Sequence, residues 1–305
     1  MDKWLLFKKI TRFGTIPVML IPVVLGTVGA FVWDGSFHPF LFVITLIGAV
    51  AAHLFSNMVN DLWDFRNGTD TEAKNTPGMV STNSGFLSGG LMKESLFALM
   101  TWGLLALAVA CGLILSIASG WETLWFVAAG ALIAYFYVAP PLRFGYRGKG
   151  YSEFAIFIAF GVMPVLGSYF VQTGEFSLKP VLLSVPVGLL TTLLLFNHHF
   201  LHWRADKQAG KRTLVVVWGE RRALVFSRVL LFLSYGSLFI CVLSGVLPVY
   251  ALLALLTVFT PLQVYRGLEP QNASLAYLPL MGASQQASVR CGIIMALALL
   301  VQGLI

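Results

Sequence analysis

"FSNMVNDLWDFRNGTD", residues 55–70, decides how this chain folds. It closes an apolar run that begins at Pro39, and within a few helical turns it presents Asn57, Asn60, Asp61 and Asp64, with Asp70 beyond. On an α-helix those four side chains share one stripe about 100° wide, and His53 joins it from one turn earlier. An acidic stripe facing hydrocarbon is costly, so the pattern predicts that it faces a protein-lined, water-accessible cavity.

The surroundings are membrane-like. Of 305 residues, 58% are hydrophobic and 11% charged, against about 25% charged in an ordinary soluble domain. Runs long enough to cross a bilayer lie near residues 14–34, 38–60, 93–117, 121–139, 151–171, 179–202, 222–245, 247–265 and 287–304. The expectation is an all-α integral membrane protein, one domain over residues 1–305, with about nine transmembrane helices around a central cavity. Threading these spans places all Lys and Arg except Lys179 on one side. The positive-inside rule makes that side, and the N-terminus, cytoplasmic. The formal charge of +7 therefore reports topology first, and a nucleic-acid partner is not needed to explain it; no protein partner is expected. The basic start before residue 14 resembles a signal peptide but lacks a small-residue cleavage site and reads as a helix. Cys111, Cys241 and Cys291 fall in apolar runs and read as buried thiols.

A second polar stripe lies in "NHHFLHWRAD", residues 197–206, where His199, His202 and Asp206 align and His198 sits beside them. Both stripes end on the same membrane side and run into basic loops, 61–92 and 203–221. Carboxylate and amide oxygens suit magnesium, which keeps waters and is completed by substrate phosphates. Asn60, Asp61, Asp64 and Asp206 are the candidate ligands. Asn57 and Asn60, with Arg66, Lys74, Arg143, Arg147, Lys207 and Lys211, are candidates for binding a diphosphate. An apolar, aromatic remainder suits a long hydrocarbon tail.

"NDLWDFRNGTD" resembles the first aspartate-rich motif of the UbiA superfamily of intramembrane prenyltransferases, in the form of its 1,4-dihydroxy-2-naphthoate branch. "DKQAGKRTLVVVWG" is similar to the segment after that family's second motif, "YFYVAPPLRFGYRGKGYSEF" to its third conserved loop and "TRFGTIP" to its first-helix entry. The resemblance implies a magnesium-dependent enzyme that transfers a prenyl group from a polyprenyl diphosphate to a small aromatic acceptor. It implies menaquinone biosynthesis in the bacterial inner membrane, with the cavity open to cytosol and lipid. Asn60, Asp61 and Asp64 match the first motif, and Asp206 matches the last Asp of the second.

His202 stands where the second motif begins with Asp. Three accounts follow: one magnesium with His202 touching diphosphate, a transition metal at the histidine cluster, or altered chemistry. Gly14 replaces a residue often basic in the branch, which weakens the case for Arg12 as a diphosphate contact. On this reading Asp61, Asp64, His202 and Asp206 are catalytic. Phe55, Tyr135, Tyr137, His198 and His199 contact prenyl chain or acceptor, the aromatics together with Trp63 sheltering an allylic cation. The proton acceptor is open among His198, His199 and His202.

Plainer readings stand beside these. His53 reads as a satisfied core histidine, Arg143, Arg147 and Lys149 as positive-inside markers, and Glu153 as a loop salt bridge. Prenyl transfer to 4-hydroxybenzoate, a lipid or a tetrapyrrole, prenyl cyclisation, a transporter and a metal-binding regulator are the other functions this pattern allows.

Overall fold

A computed structural model describes residues 3–68 and 84–305. Within them, eight helices are long and apolar enough to span a membrane, and a ninth is shorter. With the leading α1 Lys3–Ile10, they are in chain order α2 Pro17–Asp34, α3 Pro39–Arg66, α4 Glu94–Ser119 and α5 Thr123–Phe136, the short one. There follow α6 Tyr151–Thr173, α7 Leu178–Gln208, α8 Glu220–Leu243, α9 Val249–Arg266 and α10 Leu278–Leu304. The amphipathic α1 precedes the spans. Helices α2 to α10 pack as a ring in chain order, closed by α10 against α2. Apolar side chains cover its outer face, including Leu99, Ile117, Phe232 and Leu253.

Three helices extend beyond the apolar runs. Helix α3 continues to Arg66, α7 to Gln208, and α10 begins at Leu278. Hydropathy falls where the polar residues begin, but backbone hydrogen bonding does not. One face of each extra stretch turns inward, so polar side chains on that face, such as Asp64, Asp206 and Ser284, are buried and kept from lipid. Ser284, for example, is buried and accepts from the Asn197 amide at 2.8 Å.

Helices α2, α6 and α7 pinch together near their middles. A methyl group added at Gly26 of α2 would lie 2.1 Å from Ser168 Oγ and from the Val165 carbonyl of α6, so those backbones touch. At Gly161 of α6 the added carbon would lie 2.6 Å from Gly188 Cα of α7. A π turn over Ile158–Val162 carries Ala159 and Phe160 toward the interior. Cys111, Cys241 and Cys291 are buried free thiols.

Candidate active site

Between α2, α3, α5, α6, α7 and α10 lies a cavity of about 380 Å³, the size of a small-molecule site. Its acidic end is built by three chain segments. Asp64, on the last turn of α3, accepts from the Tyr146 hydroxyl on Oδ1. Its Oδ2 receives Lys211 Nζ at 3.4 Å and the Asn60 amide at 3.4 Å. Asp206, on α7, is buried and shares Lys211 as its counter-charge.

Lys211 reaches this position through a helix-end turn. Gly210 takes φ 73, and the Lys211 N–H closes on the Asp206 carbonyl at 2.7 Å, folding the chain back over the end of α7. The ammonium then lies 4.9 Å from the centre of the Tyr146 ring. Burial pulls its pKa down, but Asp64 and Asp206 push harder, and the net shift is well above the usual lysine range. The Arg212 N–H donates to the Tyr146 carbonyl at 3.0 Å, tying the loop after α5 to the loop after α7.

Asp61 has a different setting. Its carboxylate pairs with the Arg12 guanidinium and accepts the Ser84 N–H at 2.8 Å, and it does not line the cavity. Arg12 sits in the turn before α2 with φ 53, a left-handed conformation rare for a residue with a side chain.

Further inside, His198, His199 and His202 line the wall contributed by α7. The rings of His198 and His202 are 4.9 Å apart. His199 Nδ1 lies 3.8 Å from the buried Glu153 Oε1. His53 lies 2.8 Å from Thr15 Oγ1 and packs edge-on to Phe160.

The cavity thus gathers Asn57, Asn60, Asp64, Tyr137, His198, His199, His202, Asp206 and Lys211. Other expected residues lie elsewhere. Phe55 lines a second, largely apolar cavity of about 160 Å³ among α2, α3, α4, α5 and α6, which shares Met19, Ala52, Gly130, Ala134 and Ala159 with the first. Tyr135 packs against Trp63 and Trp102. Arg66 binds Glu94 at 2.7 Å, Arg147 donates to the Leu142 carbonyl, and neither these nor Arg143 and Lys207 line the cavity. Lys74 and Asp70 lie outside the described residues.

Tyr146, Phe160, Thr15 and Gln285 were not singled out from sequence. The "GASQQASVR" interruption in the last apolar run was the available signal for Gln285. Among the described residues, no three His, Cys, Asp or Glu side chains converge as a ready metal cluster. The cavity offers instead two buried carboxylates and the Asn60 amide beside an ammonium. These hard oxygen donors, already holding a cation between them, fit magnesium better than a softer metal.

Residues 19–301 match the model of the UbiA prenyltransferase family. The chain is 24% identical over 295 residues to the 1,4-dihydroxy-2-naphthoate octaprenyltransferase of Bacillus subtilis, covering 96% of this chain and 91% of that one. It is 29% identical over 230 residues to the 2-carboxy-1,4-naphthoquinone phytyltransferase of Synechocystis, covering 75% of this chain and 70% of the relative. In fold it is similar to a UbiA homolog from Archaeoglobus fulgidus bound to DMAPP and Mg2+, with a TM-score of 0.63 at 17% identity, covering 97% of this chain and 99% of that one. The nine-helix ring, its acidic cavity and these likenesses agree: the chain belongs to the UbiA prenyltransferase family.

Proposed function

We propose that this protein transfers a polyprenyl group from a polyprenyl diphosphate to 1,4-dihydroxy-2-naphthoate, as a step of menaquinone biosynthesis. One observation carries the reading: the Asp64, Lys211 and Asp206 cluster lies at one end of a cavity whose walls continue into a largely apolar pocket. A diphosphate head fits the first and a hydrocarbon tail the second. The names of the two curated relatives support a naphthoate-type acceptor.

Asn60, Asp64 and Asp206 are the residues to hold magnesium, with Asp61 available to it if Arg12 lets go. Bound there, the ion supplies charge withdrawal from the diphosphate as its bond to the allylic carbon breaks. Lys211 and Tyr146 stay beside the acids and orient them. His202 faces the same space as a hydrogen-bond partner for phosphate. Tyr137 and Phe160 offer aromatic surface to an allylic cation, and the apolar wall keeps water from it.

A cytoplasmic mouth in the bacterial inner membrane is part of this proposal. It is supported by Arg12, Lys211, Arg212 and Arg147, which lie at the acidic end, while Lys179 lies at the other. A transporter would more naturally hold its acids at the midplane. Here they gather at one end.

The test is mass spectrometry of products. The protein in detergent is given 1,4-dihydroxy-2-naphthoate or 4-hydroxybenzoate, each with geranyl or longer diphosphates, with and without magnesium. The expected result is a magnesium-dependent product equal to the naphthoate plus the prenyl group less carbon dioxide. Prenylation of 4-hydroxybenzoate alone would replace the acceptor. No diphosphate release under any condition would remove the enzyme reading.

A further inference from the structure

We propose that Glu153 and His199 form a proton-accepting dyad for the aromatic acceptor, with His199 as the base and Glu153 as its positioning residue; this rests on the prenyl transfer proposed above. Both side chains are buried, at 8% and 6% exposure, and their facing atoms, Glu153 Oε1 and His199 Nδ1, lie 3.8 Å apart with no hydrogen-bond partner. The other carboxylate oxygen of Glu153 is already occupied by the Ser152 hydroxyl at 2.7 Å. Two buried polar atoms left unpaired at this spacing are costly. A shift of less than about 1 Å would close them into a hydrogen bond, of the kind that is often long before substrate arrives.

Closure fixes the ring. With the Nδ1 proton directed at Glu153, Nε2 becomes the acceptor atom, and a carboxylate behind it raises its basicity. His199 lines the cavity whereas Glu153 does not, so the carboxylate lies behind the ring. Along α7, His199 lies two turns deeper than Asp206, roughly 10 Å at the rise of an α-helix. That distance leaves room for an aromatic ring between the base and a diphosphate held at Asp64 and Asp206.

The step balances. The acceptor hydroxyl gives its proton to His199 Nε2, and the oxygen lone pair feeds the ring. A ring carbon bonds to the allylic carbon of the prenyl group as the carbon–oxygen bond to diphosphate breaks, the electron pair leaving with diphosphate. The new tetrahedral carbon then releases carbon dioxide, or a proton to water where it carries hydrogen, and returns the pair to the ring. The phenolate recovers its proton from His199.

The test compares the parent chain with His199→Gln, Glu153→Gln and Glu153→Asp. It uses two acceptors: the naphthoate and an analogue whose electron-withdrawing ring substituents keep its hydroxyl ionised at the assay pH. On the ordinary acceptor, His199→Gln is expected to lower kcat about 10²- to 10⁴-fold and Glu153→Gln about 10- to 100-fold, with the KM for prenyl diphosphate unchanged. Glu153→Asp recovers part of the loss. On the ionised acceptor the deficits shrink at least about tenfold, because no proton need be removed.

Equal deficits on both acceptors, parent-like kcat, or a change confined to the KM for prenyl diphosphate would overturn the dyad. If His199→Gln shows no thermal shift with prenyl diphosphate it has not folded, and the near-isosteric Glu153→Gln decides. A parent chain that prenylates neither acceptor sinks the proposed function and the dyad with it, whereas an active parent with indifferent variants sinks the dyad alone.

Discussion

Arg12 and Asp61, 49 residues apart, form an ion pair that holds one acid of the first motif away from the cavity. Arg12 reaches it from a left-handed backbone in the turn before α2, and Ser84 completes the clasp. Asp61 is thereby satisfied while Asp64 still faces the site. A divalent ion and the guanidinium compete for the same carboxylate. Arg12→Met is therefore expected to tighten magnesium binding several-fold, measured by calorimetry on the protein without substrate. Asp61→Asn should abolish magnesium-dependent transfer. In a double-mutant cycle for stability the two changes should couple by about 1–3 kcal/mol. Additive effects would show that the clasp carries no energy.

Lys211 stands between two buried acids, and its removal leaves them without a counter-charge. Lys211→Met should destabilise the protein by about 3–5 kcal/mol, read from denaturation in detergent without magnesium. Millimolar magnesium should return part of that loss, since a ligand of the folded state stabilises by mass action. The lysine's pKa is raised on folding, so its contribution is fully present below the usual lysine range and is lost only as pH climbs through the higher folded value. The difference between Lys211→Met and the parent should then stay flat from neutral to moderately alkaline pH.

His202 lies one turn before Asp206 and faces the same cavity. His202→Asp puts a third carboxylate beside Asp64 and Asp206, at the position where the family's second motif begins with an acid. Magnesium activation should reach half-saturation at several-fold lower concentration, with transfer kept or improved. Titrating activity against magnesium checks this. A parent that works only with zinc, paired with an inactive His202→Asp, would reverse the metal assignment.

The stripe at residues 53–64 was legible because helical periodicity and the cost of acids in lipid point to one answer. Its edge was not. Asp61 sits about 100° around the helix from Asn60, so a modest rotation of α3 decides whether it faces cavity or flank, and Arg12 and Ser84 settle that from distant parts of the chain. Basic residues were the least readable. Arg66, Arg147 and Lys211 look alike beside acidic motifs, yet only Lys211 is carried inward, by the turn at Gly210. Tyr146 and Phe160 had no distinguishing mark in a chain with 13% aromatics. The hydropathy runs stopped short on α3, α7 and α10 for one shared reason: helices that line a polar cavity are polar where the function is.

Ala134 sits where the acidic cavity meets the apolar pocket, together with Ala52, Gly130 and Ala159. These four are small, Met19 is the one larger side chain the two cavities share, and Phe55 and Cys111 line the pocket beyond. If the prenyl tail threads this passage, Ala134→Phe fills it with a ring without touching Asp64, Lys211 or Asp206. Transfer from dimethylallyl diphosphate should then continue within about threefold of the parent, whereas transfer from long polyprenyl diphosphates should fall by at least about 100-fold, the scale of a misplaced reacting group. Competition kinetics with a mixture of chain lengths reads both at once. Equal losses at every length would mean that the ring disturbs the acidic end, and unchanged use of long chains would mean that the tail leaves the cavity by another side, directly into lipid.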